Sequence, residues 1–142
     1  MIAIGSDHGG FELKNILMKH LEQRGFVYKD FGTYSEASCD YPTYAKAVAN
    51  AVASGEYACG ILICGTGIGV SITANKVPGI RAALCGDCFS AEATRQHNDA
   101  NVLCMGARVV GAGLALKIAD TFLDTPFSND PRHIRRISQI EG

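Results

Sequence analysis

The residues best placed to do chemistry follow an apolar run, Ile61-Leu62-Ile63-Cys64, that opens into the glycine-rich turn Gly65-Thr66-Gly67-Ile68-Gly69. A chain leaving a buried strand through such a turn and entering a helix can aim several main-chain N–H groups at one point, because glycine permits the tight approach this needs. That point stabilises an anion: a phosphate, a carboxylate, or an oxyanion that develops during a reaction. A thiol at its mouth has its thiolate stabilised, which makes Cys64 a candidate base or nucleophile. Away from such a turn, a strand cysteine is a small buried hydrophobe.

Residue types narrow the choice. A Walker loop needs Lys followed by Ser or Thr after its last glycine, and Val70 stands there. A dinucleotide fingerprint needs Gly-x-Gly-x-x-Gly; the glycines here fall one residue short, although Asp87 lies near the spacing of the ribose-binding acid. A cysteine phosphatase loop would place arginine where Val70 is.

Other polar groups could join Cys64. Asp7 and His8 close the first apolar run, where they either face a crevice or cap a turn. His97-Asn98-Asp99-Ala100-Asn101 precedes another apolar run and reads as a polar turn unless the fold brings it to Cys64. Arg132 and Arg136 lie one helical turn apart, a spacing that suits a phosphate dianion; the alternative is a solvated terminal helix. Cys85-Gly86-Asp87-Cys88 has redox spacing, but it follows a fourth strand and no second pair completes a zinc site, so it reads as structural. His20 and His133 lack partners at metal spacing, and no metal is expected.

The elements that position these groups alternate. Residues 1–7 read as a strand, and Leu13, Ile16, Leu17 and Leu21 recur at helical spacing from Phe11 to Arg24. Phe26 to Phe31 is a second strand, Tyr44 to Ala53 a helix, Gly60 to Cys64 a strand and Val70 to Asn75 a helix. Ile80 to Cys85 is a strand, 88–96 a helix, Asn101 to Met105 a strand, and helices follow from about Gly113 to Leu123 and from Pro131. Strands and helices in this alternation imply right-handed crossovers and a three-layer α/β sandwich around a five-stranded parallel sheet, with ligands at the strands' carboxyl ends.

The 142 residues suit one domain, 1–142. A net charge of -1 argues against nucleic acid as a partner. The opening residues resemble neither a signal peptide nor a membrane span, so a cytoplasmic protein with reduced thiols and no membrane partner is expected.

Taken together, Gly5-Ser6-Asp7-His8-Gly9-Gly10, Asp40-Tyr41-Pro42, ICGTGIGVSITANKVPGIRAAL from Ile63, His97-Asn98-Asp99-Ala100-Asn101 and Arg132-His133 resemble the ribose-5-phosphate isomerase B family across Met1 to Glu141. The resemblance implies a Rossmann-like fold and a cofactor-free isomerase of the pentose phosphate pathway, interconverting ribose 5-phosphate and ribulose 5-phosphate. It also implies a homodimer with active sites between subunits, the helix at about 131–140 reaching the partner; whether dimers pair into tetramers stays open.

By the same similarity Cys64 matches the proton acceptor at C2, His97 the ring-opening acid, and Thr66 a proton relay between sugar oxygens. The amides of Gly65, Gly67, Ile68 and Gly69 match the oxyanion hole. Asp7, His8 and Asn98 match sugar-contacting positions, and Arg108, Arg132 and Arg136 phosphate-binding ones. Some members carry a glutamate base at the position of Val70 and lack the cysteine. Members usually have glycines before the Arg-His pair, whereas Asn129-Asp130-Pro131 precede it here. Two alternatives stand beside this reading: isomerisation of a hexose 6-phosphate such as allose or galactose 6-phosphate, and a noncatalytic sugar-phosphate binding module.

Overall fold

A computed structural model describes all residues from Met1 to Gly142. Strand β1 (Ile2–Ser6) runs through a 3-10 turn (His8–Gly10) into α1 (Phe11–Gln23), followed by β2 (Tyr28–Asp30) and α2 (Tyr41–Ala53). Then come β3 (Cys59–Cys64), α3 (Ile68–Ala74), β4 (Ala82–Leu84), α4 (Cys88–Asn98), β5 (Val102–Gly106), α5 (Ala112–Asp124) and α6 (Pro131–Glu141). All strand pairs are parallel, in the order β2-β1-β3-β5-β4. This is the expected three-layer α/β architecture.

The period of two along each strand sorts the core into two layers. Ile2, Ile4, Ile61, Ile63, Leu103 and Met105 face α1 and α5. Ala3, Leu62, Cys64, Val102 and Cys104 face α2 and α3. The Cys64 side chain is therefore committed to the α2/α3 side of the sheet by its register with Leu62.

Two strands are shorter than the apolar runs suggest. Both β2 and β4 are edges, so only the residues that meet β1 or β5 acquire a ladder. Helix α2 begins at Tyr41 and not Tyr44, because Pro42 fits the first turn, where its missing N–H is unneeded. Helix α3 begins at Ile68, as soon as Gly67 completes the turn at φ +79°. No helix is long and apolar enough to cross a membrane.

One charged side chain lies wholly inside. Lys14, on α1, is 0% exposed; its ammonium sits 2.6 Å from Asp30 Oδ1 and also donates to the Thr33 carbonyl. Asp30 accepts in addition from the Gly32 N–H at 2.8 Å, so the pair ties α1 to the chain leaving β2. Removing the carboxylate strands a cation in a low-dielectric layer, which costs about 3 to 5 kcal/mol, whereas removing the lysine leaves an acid that still reaches water. D30A is therefore expected to lower the urea unfolding free energy by about 3 kcal/mol or more, and K14M by distinctly less. Equal losses would show that the charge is not what the pair contributes.

Candidate active site

Strands β1 and β3 are adjacent, but the helices that follow them pack on opposite faces of the sheet: α1 in one layer, α3 in the other. A crevice forms where successive crossovers diverge in this way, at the strands' carboxyl ends. Asp7 leaves β1 there and Cys64 ends β3, and both line one open cleft of about 410 Å³ with Tyr41, Gly65, Thr66, Ile68, Gly69 and Ile72.

Cys64 is only 5% exposed and packs in the same apolar layer as Val70, yet it forms part of the cleft wall. Its Sγ accepts the Gly67 N–H at 3.1 Å. Thr66 Oγ1 accepts from Ile68 N–H at 3.2 Å, so the turn is held from both of its polar side chains. Three other thiols have no such role: desolvation pushes the half-buried Cys59 and the buried Cys85 up to about 11, and Cys104 higher still, which keeps them protonated.

Close packing gives the turn its shape. A Cβ at Gly106 would lie 2.5 Å from the carbonyl of Thr66, and one at Gly67 would lie 2.6 Å from Leu84 Cδ1 and 2.7 Å from the Met105 carbonyl carbon. A Cβ at Gly69 would fall 2.5 Å from the Tyr41 ring. The last strand, β5, and the start of α2 thus press the turn into position. The role of Tyr41 in this wall went unread in the sequence, although the Asp40-Tyr41-Pro42 run was the available signal.

Asp7 is buried, and its carboxylate accepts from Gly10 N–H at 3.1 Å, capping the 3-10 turn. His8 Nδ1 accepts from Cys39 N–H at 3.2 Å. Arg108 stacks along Gly65, 3.6 Å from where a Cβ would stand there, and its N–H donates to the Gly65 carbonyl at 3.0 Å.

The remaining sequence-derived candidates gather elsewhere. His97, Asn98, Arg132, His133 and Arg136 line a second cleft of about 370 Å³ that has no apolar wall. The His97 and His133 rings stack with centroids 4.5 Å apart, and His133 Nδ1 meets Ser128 Oγ at 2.7 Å. The two clefts share no lining residue. Asp130 caps α6 by accepting the Arg132 N–H at 2.8 Å, and its second oxygen lies 3.3 Å from Arg132 Nη2. The Asn-Asp-Pro run thus makes a regular helix start and a local partner for Arg132. Asp87 likewise caps α4 through Ser90, which accounts for the Cys85-Gly86-Asp87-Cys88 segment without redox chemistry.

Known proteins resemble this chain along its length. It is 52% identical over 139 residues to "Ribose-5-phosphate isomerase B" of Escherichia coli, covering 98% of this chain and 93% of that one. The solved structure of Clostridium thermocellum ribose-5-phosphate isomerase B superposes with TM-score 0.97 at 53% identity, covering 99% of this chain and 94% of the other. That of Mycoplasma genitalium ribose-5-phosphate isomerase B, with bound ribulose-5-phosphate, gives TM-score 0.94 at 45% identity, covering 99% and 93%. Because the family model described as "Ribose/Galactose Isomerase" also matches residues 2–140, the chain belongs to that isomerase family.

Proposed function

We propose that this chain is an aldose-ketose isomerase that interconverts D-ribose 5-phosphate and D-ribulose 5-phosphate through an enediolate, without a cofactor, in the pentose phosphate pathway of the cytoplasm. The observation that carries the reading is Cys64 Sγ on the wall of an open cleft, 3.1 Å from the Gly67 N–H. A sulfur so held can take and return a proton while neighbouring amides meet negative charge.

In the open-chain aldose, the Cys64 thiolate removes the C2 proton. The C–H electron pair becomes the C1–C2 double bond, and the carbonyl pair moves onto O1. Amides from Gly65, Gly67, Ile68 and Gly69 stabilise that oxygen. Thr66 relays the hydroxyl proton from O2 to O1, the O2 pair reforms a carbonyl at C2, and the thiol returns its proton to C1. The cyclic substrate must first open: His97 protonates the ring oxygen as its bond to C1 breaks, while the C1 hydroxyl gives its proton to water and its O–H pair forms the C1 carbonyl. Arg132 and Arg136 bind the phosphate, with Arg108 beside the turn, while Asp7, His8 and Asn98 contact sugar oxygens.

One chain is one domain in this reading, and two chains make the site. Support comes from the two clefts having no lining residue in common, so His97, Asn98, Arg132 and Arg136 of one copy complete the Cys64 cleft of the other. Apolar groups on the Cys64 cleft await cover: Ile68 is 50% exposed and Ile72 58%. Helix α6 buries no residue in its own chain and leaves Ile134 and Ile140 exposed, as suits a helix that packs on a partner. The His97-Asn98 pair favours the pentose over a hexose 6-phosphate, and a higher kcat/KM for allose or galactose 6-phosphate would overturn that choice.

C64A is expected to lower kcat by about 10³-fold while calorimetry still detects ribose 5-phosphate binding. Full turnover by the pure variant would remove Cys64 as the base. H97N is expected to slow the cyclic substrate more than an open-chain one; equal losses would count against ring opening. If sites are shared, C64A and H97N, each impaired on the cyclic substrate, regain roughly one quarter of wild-type activity on it when unfolded and refolded together, because half the dimers then hold one intact site. No recovery would return all these residues to a single chain.

A further inference from the structure

His8 belongs to the proposed sugar-contacting set, but its protonation state decides what it can do there. Its Nδ1 accepts a hydrogen bond from the main-chain N–H of Cys39 at 3.2 Å. A backbone amide always carries its hydrogen and can only donate, so Nδ1 must present a lone pair. The neutral ring then carries its proton on Nε2, which has no partner within the chain. The Cys39 thiol, 3.9 Å from the same nitrogen, adds only a weak contact.

The turn that carries His8 and the start of the loop that leads to Cys39 are both held in place. The chain leaving β2 is pinned to the end of β1 by Ser6 N–H to the Gly32 carbonyl and Thr33 N–H to the Ser6 carbonyl, each 2.7 Å. The buried Lys14–Asp30 pair fastens the same stretch to α1. On the other side, Asp7 caps the turn that carries His8, and a Cβ at Gly9 would lie 3.3 Å from Gly65 N, so the turn is packed against the glycine loop after Cys64.

We infer that the main chain at Cys39 locks His8 as its Nε2–H tautomer, so that His8 serves a sugar-phosphate oxygen only as a hydrogen-bond donor and cannot compete with Cys64 for the carbon-bound proton. This rests on the isomerase reading for the identity of the acceptor. The tautomer itself follows from the hydrogen bond alone. Cys39 is in this sense a positioning residue, acting through its backbone and not its thiol.

The test is long-range proton–nitrogen NMR on the nitrogen-labelled protein at neutral pH, with the His8 signals assigned by their loss in H8Q. The expected result is one species, with Nδ1 unprotonated and Nε2 protonated. An average of two tautomers, or a protonated Nδ1, in the wild-type spectrum overturns the inference. C39A keeps the amide and should keep that spectrum; C39P lacks the N–H and should release the ring to a mixture. The loss of one net hydrogen bond corresponds to kcat/KM about three- to ten-fold lower in C39P than in C39A. A C39P enzyme with the C39A spectrum and kcat/KM, or a C39A enzyme as impaired as C39P, would sink the inference. Neither result bears on C64A, so the tautomer assignment and the isomerase reading fail separately.

Discussion

The hydrogen bond from the Gly67 amide to the sulfur of Cys64 is the contact on which the rest of the site turns. It exists because a strand ends, reverses through a left-handed glycine and starts a helix within a few residues. No side chain larger than hydrogen fits between that turn and β5 at Gly106, or between it and the Tyr41 ring at Gly69. The sheet thus acts as an anvil: β5 beneath and α2 beside the turn leave its amides one arrangement. Electrostatic stabilisation of a developing oxyanion depends on such fixed donors, since dipoles that need not reorient lose nothing when charge appears.

The same economy of space separates the polar machinery. Cys64 faces the α2/α3 layer and is nearly covered, whereas His97 and the C-terminal arginines stand at the far end of α4 and on α6 in a cleft without apolar walls. Cys64 depends on a turn amide held rigid against a packed wall, and guanidinium groups that await a dianion need to stay hydrated until it arrives. Separating the two environments within a chain and joining them across two copies reconciles these demands in the proposed enzyme. Val70 fits the cysteine form of the site: it is fully buried beside Cys64, where a carboxylate would compete with the apolar layer.

Loops leaving β1 and β2 carry a quieter part of the design. A buried lysine is an expensive way to fasten a loop unless the loop has a task, and here Asp30 and Thr33 anchor the start of the loop whose Cys39 amide meets the ring of His8. The positive charge of Lys14 is met by the Asp30 carboxylate and the Thr33 carbonyl.

Much of this was legible in the chain. Alternating apolar runs and helical periods suffice for the three layers, because a parallel sheet buried on both faces tolerates little else, and the Cys64 turn announced itself through glycine spacing. The length of the edge strands was not legible, since pairing depends on neighbours that apolar runs do not reveal; nor was the wall made by Tyr41, distant in sequence from the turn it touches. That Lys14 lies inside, that Cys39 addresses His8 and that Cys64 and His97 line different clefts were decisions of the tertiary structure alone. Local sequence fixes which hydrogen bonds and apolar stripes a segment offers; which of them meet depends on contacts between residues far apart in the chain, and those are set only when the layers close.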